Sequence, residues 1–334
     1  MFKRISRVLA ASTLLAGSVL GAAQAAEQEV NFGIISTESS QNLKSMWDPF
    51  LADMSQQTGL KIKAFFAPDY AGIIQGMRFD KVDMAWYGNK AAMEAVDRAG
   101  GQIFAQTVAA NGTQGYYSLM VAHKDSPINS IEDMLKNAKT LTFANGDPNS
   151  TSGYLVPGYY VFAQNNADAN KIFKRALNGS HEVNALSVAN KQVDVGTFNS
   201  EGMERLEVTA PDKAAQLKVI WTSPLIPSDP MVWRKNLDDA TKNKLREFFM
   251  TYGDQPAEQK VLEGLQWAKF KASDDDQLLP IRQLELFKKR TEVANNDKLN
   301  AADKQAQLKE LDAELAKLEK RMAEIAKQSP ASAG

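Results

Sequence analysis

The sequence predicts an α/β protein of two lobes with a cleft between them, and three observations carry that expectation. Short apolar, β-prone runs alternate with helical periods from Val30 onward. The run Val82-Asp83-Met84-Ala85-Trp86-Tyr87 reappears in outline as Val193-Asp194-Val195-Gly196-Thr197-Phe198. Two apolar segments, Tyr116–Ala122 and Lys218–Ser223, are long enough to carry the chain from one lobe to the other and back.

Taken in order, Val30–Ile35 forms a buried strand. From Ser40 to about Gln57, Leu43, Met46, Trp47, Phe50, Leu51 and Met54 fall at helical spacing, and Gly59 supplies a C-terminal stop. Pro49 suits a first helical turn capped by Asp48, which divides this stretch into two candidate pieces. Leu60–Phe66 is a strand, Asp69-Tyr70 opens a helix to about Arg78, Val82–Tyr87 is a strand and Ala91–Arg98 a helix. The pattern restarts at Tyr116. Ser126–Met134 is a capped turn into a helix, Thr140–Ala144 a strand, and Tyr159–Phe162 part of an aromatic helix. Each copy of the repeated run follows an apolar helix and precedes a polar turn, a context that favours two similar lobes over coincidence. Proline in Pro224–Pro230 stiffens the return segment.

The ends and the composition narrow the class. Met1–Arg7 is basic, Val8 to about Leu20 is apolar, and Ala23-Gln24-Ala25 offers the small residues of a cleavage site, the signature of a secretory signal. The apolar stretch is short for a membrane span, which takes roughly 20 residues. The chain has no cysteine, which rules out a lipid-anchored form, cysteine-ligated metal and a thiol nucleophile. A domain of this size builds a core without disulfides. With a formal net charge of -1 and interleaved signs, no basic patch points to nucleic acid. His123 and His181 are the only histidines, so neither a multi-histidine metal site nor a cofactor is expected.

The stretch Asn145-Gly146-Asp147-Pro148-Asn149-Ser150-Thr151-Ser152-Gly153 lies after a strand and before a helix. A helix start presents unpaired N–H groups and partial positive charge, so an anion docks there without lysine or arginine. Ser150, Thr151 and Ser152 add hydroxyl donors suited to a tetrahedral oxyanion, and Gly153 permits close approach; the plainer alternative is ordinary N-capping. No Gly-Lys-Ser/Thr ending is present, so this is not a P-loop. Glu201 follows the second repeated run, and Asp229 sits between prolines at the return crossing. If both face the cleft they attract a cation, although most carboxylates are merely solvated. Two cleft carboxylates also fit a periplasmic glycoside-type hydrolase, in which the hydroxyl turn has no part. Tyr70 and Tyr116 stand at structural transitions, as cleft walls or as core. His181 is a further donor to an anion. Beyond Thr291, Leu308, Leu311, Leu315, Leu318, Met322 and Ile325 recur at heptad spacing, either as a dimer seam or as a face packed on the chain's own lobe.

Phe65–Phe79, the Asn145–Gly153 turn and Pro224-Leu225-Ile226-Pro227 resemble the phosphonate-binding periplasmic proteins of ABC importers over nearly the whole mature chain. The resemblance implies a type II periplasmic binding protein fold, no enzymatic activity, a periplasmic location after cleavage near Ala25 or Ala26, and docking on an inner-membrane permease. By matching position it implies that Ser150, Thr151 and Ser152 bind phosphonate oxygens with Tyr70 and His181. It assigns Glu201 and Asp229 to the ammonium of a ligand such as 2-aminoethylphosphonate, with Tyr116 shaping that end. It also suggests homodimers through the C-terminal helix. The expected layout is a signal over 1–26, a first lobe of 27–117 and 223–290, a second lobe of 118–222, and a helical tail of 291–334. A binding protein for phosphate, phosphite or another tetrahedral oxyanion is the main alternative, and a coiled-coil structural protein a further one.

Overall fold

The structure, a computed structural model, describes residues 28–328. The expected export signal lies outside these residues. Among them, no helix is long and apolar enough to cross a membrane.

The chain opens with β1 (Glu29–Ile34), β2 (Lys61–Phe66), β3 (Met84–Trp86) and β4 (Gly101–Gln106), separated by helices Ser40–Thr58, Tyr70–Arg78 and Asn89–Arg98. It crosses through β5 (Gly115–Tyr116) into β6 (Ser118–His123), and then lays down β7 (Thr142–Gly146), β8 (Arg175–Gly179), β9 (Val195–Asn199) and β10 (Leu217–Thr222). It returns through β11 (Ile226–Pro227) to β12 (Pro230–Arg234) and β13 (Lys271–Ala272). One sheet runs β13-β4-β12-β3-β1-β2, the other β10-β6-β9-β7-β8, and β11 pairs with β5 in a short ribbon between them. This is the two-lobed α/β architecture expected of a type II periplasmic binding protein. Within each sheet three neighbours are parallel, β2-β1-β3 and β8-β7-β9. Ligand clefts in such sheets form beyond the carboxyl ends of the parallel strands.

The repeated run has a physical basis. Asp83 accepts a 2.7 Å hydrogen bond from the Asn31 N–H of β1 and donates its own N–H to the Asn31 carbonyl. Asp194 does the same for β7, accepting at 2.7 Å from the Thr142 N–H and donating to the Thr142 carbonyl. Each aspartate pins the start of the parallel neighbour beside β3 or β9.

Two local expectations change. Ser40–Thr58 is a single helix with Pro49 inside it. Leu43, Trp47, Phe50, Leu51 and Met54 are all buried along one face, and their packing outweighs the roughly 3 kcal/mol cost of an interior proline. The first crossing is not one strand but two, broken at the exposed Tyr117. The break lets β5 pair with β11 and β6 join the second sheet. The two crossings are locked together where Ser118 N–H donates to Ser223 Oγ at 2.9 Å and Ser223 N–H to the Ser118 carbonyl at 3.0 Å.

Aromatic packing holds the first lobe. The Phe50 ring lies 5.1–5.9 Å from those of Trp47, Phe248, Phe249, Tyr252 and Phe270. The second lobe is centred on Phe143, stacked on Phe173 at 4.6 Å with Phe162 at its edge. A third cluster at the crossings joins Tyr116 and Ile226 to Leu155, Val156, Ile281 and Leu284. The last two belong to helix Leu279–Ala294, which touches both lobes. Its Arg282 pairs with Asp97 of the first lobe through bonds of 2.6 and 2.7 Å, and its Phe287 stacks on Tyr159 of the second. Helix Ala301–Gln328 packs back on it, with Leu315 buried and Arg290 paired to Asp312.

Phe50→Ala removes the ring that the other five surround. It is expected to cost about 3–5 kcal/mol in urea denaturation of the ligand-free protein.

Candidate functional site

A cleft of about 440 Å³ lies where the parallel strands end, and Tyr70, Tyr116, Ser150, Thr151, Ser152, His181, Glu201 and Asp229 all line it. Strand geometry explains the convergence. Tyr70 follows β2, Ser150–Ser152 follow β7, His181 follows β8 and Glu201 follows β9, each within a few residues of the strand end. Tyr116 and Asp229 come from the two crossings.

At one end stands the hydroxyl turn. Ser150 Oγ accepts from the Gly153 N–H at 3.0 Å, so the capping role is real. The hydroxyl proton remains free to donate elsewhere. Thr151 Oγ1 accepts a 2.9 Å bond from the Lys90 N–H across the cleft, again leaving its proton free. The helix beyond is wound in wide π-type turns, with Leu155 N–H reaching the Ser150 carbonyl at 3.1 Å; such turns recur at functional sites. Gly146 and Gly153 make the turn possible, since a Cβ on Gly146 would lie 2.4 Å from the Gly153 carbonyl oxygen.

His181 Nε2 lies 3.3 Å from Ser150 Oγ and 3.4 Å from Ser152 Oγ, while its Nδ1 is buried without a partner. Burial lowers its pKa to about 4, so the ring is neutral near pH 7 and can donate from only one nitrogen. Burial also holds the Tyr70 and Tyr116 hydroxyls above the usual tyrosine range, reinforced by Asp147 and Asp229 respectively. Both therefore remain protonated donors, Tyr70 beside Ser150 and Tyr116 beside Ser152.

The opposite end carries two buried carboxyl groups, Asp229 and Glu201. Asp229 is buried, and its Oδ1 has no hydrogen-bond partner. Burial, then the charge of Glu201, pushes its pKa well above the usual carboxylate range. Glu201 is raised to about 7 by burial, against the opposing pull of Arg205. The ends are close, and a glycine keeps the gap open: a Cβ on Gly88 would lie 3.3 Å from Thr151 Oγ1 and 3.9 Å from Asp229 Oδ1.

Other lining residues escaped the sequence reading. Trp86, with its indole N–H unpartnered, flanks Asp229. Thr37, Glu38 and Asn42 follow β1, and Glu182, Arg205 and Gln266 complete the rim. The available signal was Ser36-Thr37-Glu38-Ser39-Ser40, a polar run between a strand and a helix like the hydroxyl turn itself.

Comparison with known proteins identifies the family. Residues 32–278 match the family described as ABC transporter, phosphonate, periplasmic substrate-binding protein. The phosphonates-binding periplasmic protein of Escherichia coli (strain K12) is 60% identical over 320 residues, covering 95% of this chain and 94% of that protein. A crystal structure of a binding-protein component of an ABC phosphonate transporter from Pseudomonas aeruginosa is 76% identical, with a TM-score of 0.89. The match covers 90% of this chain and 99% of that one. A Prochlorococcus marinus protein solved with methylphosphonate shares the fold at 22% identity and a TM-score of 0.69, over 77% and 97% of the two chains. These relatives are binding proteins rather than enzymes, which removes the hydrolase alternative. The chain belongs to the periplasmic substrate-binding proteins of phosphonate ABC transporters.

Proposed function

We propose that the protein captures aminoalkylphosphonates, 2-aminoethylphosphonate foremost, and presents them to its permease. The observation that carries this reading is the buried Asp229 carboxyl, whose Oδ1 has no hydrogen-bond partner, with Glu201 near it in the same cleft as the hydroxyl turn. Ser150, Thr151 and Ser152 donate to the phosphonate oxygens, joined by Tyr70 and His181. Glu201 and Asp229 receive the ammonium, and Tyr116 shapes that end. Residues 27–117 with 223–290 and residues 118–222 act as two bodies. A ligand touching both favours the closed population.

The carboxylates are what separate this ligand from phosphate. Hydroxyls and a helix start accept any tetrahedral oxyanion, whereas an unpaired buried carboxylate repels a plain anion and rewards a cation. A charge-assisted hydrogen bond contributes about 1.5–3 kcal/mol. The Glu201→Gln, Asp229→Asn double variant should therefore lose roughly a hundredfold or more in affinity for 2-aminoethylphosphonate, with a much smaller change for methylphosphonate. Calorimetry against 2-aminoethylphosphonate, methylphosphonate and phosphate checks this. Equal losses for both phosphonates, or wild-type preference for phosphate, would overturn the assignment.

The carboxylate shifts set a pH dependence. Below about pH 7 Glu201 carries a proton in the free protein, and an incoming ammonium favours the charged form. Binding must then release that proton, so affinity falls as pH falls, by at most tenfold per unit. The ammonium lowers the second phosphonate pKa of 2-aminoethylphosphonate below that of methylphosphonate, so the ratio of the two affinities is compared at each pH with the same ratio in the double variant, which removes the titration of the ligands. Measured against the Glu201→Gln, Asp229→Asn double variant, the ratio is expected to fall between pH 7.5 and pH 5.5, more steeply in wild type than in Glu201→Gln, where Asp229 still titrates.

The same reading includes a homodimer through the C-terminal hairpin. Leu308, Leu311, Leu318, Met322 and Ile325 remain only half-buried after packing on helix Leu279–Ala294. Light scattering should show a dimer that Leu308→Glu with Ile325→Glu converts to monomer, with phosphonate affinity retained; an unchanged mass would refute it.

A further inference from the structure

The cleft mouth carries a second set of cross-lobe bonds that involve none of the residues assigned to the ligand. Glu182, in the first turn of helix His181–Ala189, reaches from the second lobe to the first. The Ser39 N–H and the Asn42 side-chain amide each donate to its carboxylate at 2.7 Å, and its own N–H donates to the Thr37 carbonyl at 3.2 Å. Arg205, on helix Ser200–Thr209, pairs with Glu38 and donates to Gln266 Oε1 at 2.7 Å. Gln266 holds φ at +63°, in the left-handed region that few non-glycine residues adopt and that clusters at functional positions. Among the described residues, Arg205 is also the only lysine or arginine lining the cleft. It stands one helical turn beyond Glu201, where i,i+4 charges meet.

We propose that Glu182 and Arg205 form a ligand-independent latch that sets the lifetime of the closed state, and that Glu38 draws Arg205 away from Glu201 so that this carboxylate stays available to the ligand. The proposal rests on capture between the two lobes but not on which phosphonate is preferred. Every latch bond joins one lobe to the other, so it exists only when they are together. It therefore stabilises the closed form equally for any occupant. Encounter takes place with the open form, so loss of the latch appears in release rather than in association.

Stopped-flow measurements of 2-aminoethylphosphonate and methylphosphonate with the full mature protein test both parts. Glu182→Ala should speed release of both ligands by the same factor, roughly tenfold, with association within about twofold of wild type. Asn42→Ala, an exposed position, should show a smaller effect in the same direction, and it carries the test if Glu182→Ala fails to fold. Glu38→Gln should speed release of both and in addition lower the preference for 2-aminoethylphosphonate, because Arg205 then returns to Glu201. Wild-type release rates in Asn42→Ala and in any folded Glu182→Ala protein overturn the latch. An unchanged preference in Glu38→Gln overturns the role given to Arg205. If wild type binds both phosphonates equally, the aminophosphonate reading fails while the shared release factor still reports on the latch.

Discussion

A parallel strand delivers the chain to one edge of its sheet and must leave from there, so neighbouring parallel strands gather their exits on a single side. Here two such trios, β2-β1-β3 and β8-β7-β9, face each other across the cleft. Every exit becomes a short polar turn followed by a helix start. These turns supply Thr37, Tyr70, Gly88, the Ser150–Ser152 hydroxyls, His181 and Glu201. The two aspartates at the opposite strand ends, Asp83 and Asp194, fix how far each strand runs before it turns. The site is in this sense a product of sheet polarity, with the crossings adding Tyr116 and Asp229.

The chemistry within the cleft is deliberately one-sided. At the turn, Ser150 Oγ and Thr151 Oγ1 each already accept a bond from a backbone N–H, which leaves their hydroxyl protons available to an oxyanion. Burial keeps Tyr70 and Tyr116 protonated and His181 neutral, so no net positive charge is needed to hold an oxyanion. At the other end two buried carboxyls, Glu201 and Asp229, lie near each other, and no basic side chain pairs with Asp229 among the described residues. That arrangement is unfavourable in the closed protein alone, as the raised pKa values of Glu201 and Asp229 record. On the reading proposed above, the ammonium of a zwitterionic ligand relieves it.

Much of this was legible in the amino-acid pattern, and the exceptions have definite causes. The strand and helix order could be read because β-prone runs and helical periods are local signals. The Val82 and Val193 runs stood out because Asp83 and Asp194 perform the same task. Pro49 misled because local propensity cannot weigh the buried Trp47 and Phe50 beside it. Tyr117 hid the break in the first crossing, since an aromatic residue is β-prone whether it is paired or exposed. The heptad stripe from Leu308 specifies a face but not what covers it, and Leu315 turns out to lie on the chain's own helix. The cleft-mouth residues Glu38, Asn42, Glu182 and Arg205 were invisible for a different reason: each gains a partner only when segments more than a hundred residues apart come together.

Helix Leu279–Ala294 spans the back of the molecule, tied to Asp97 on one lobe and resting on Tyr159 of the other. Any motion that carries Asp97 away from Tyr159 must slide or bend this helix or break one of these two contacts. Helix Ala301–Gln328 packs along it, with Leu315 buried and Arg290 paired to Asp312. A load on that C-terminal helix therefore falls on an element that both lobes share, outside the cleft.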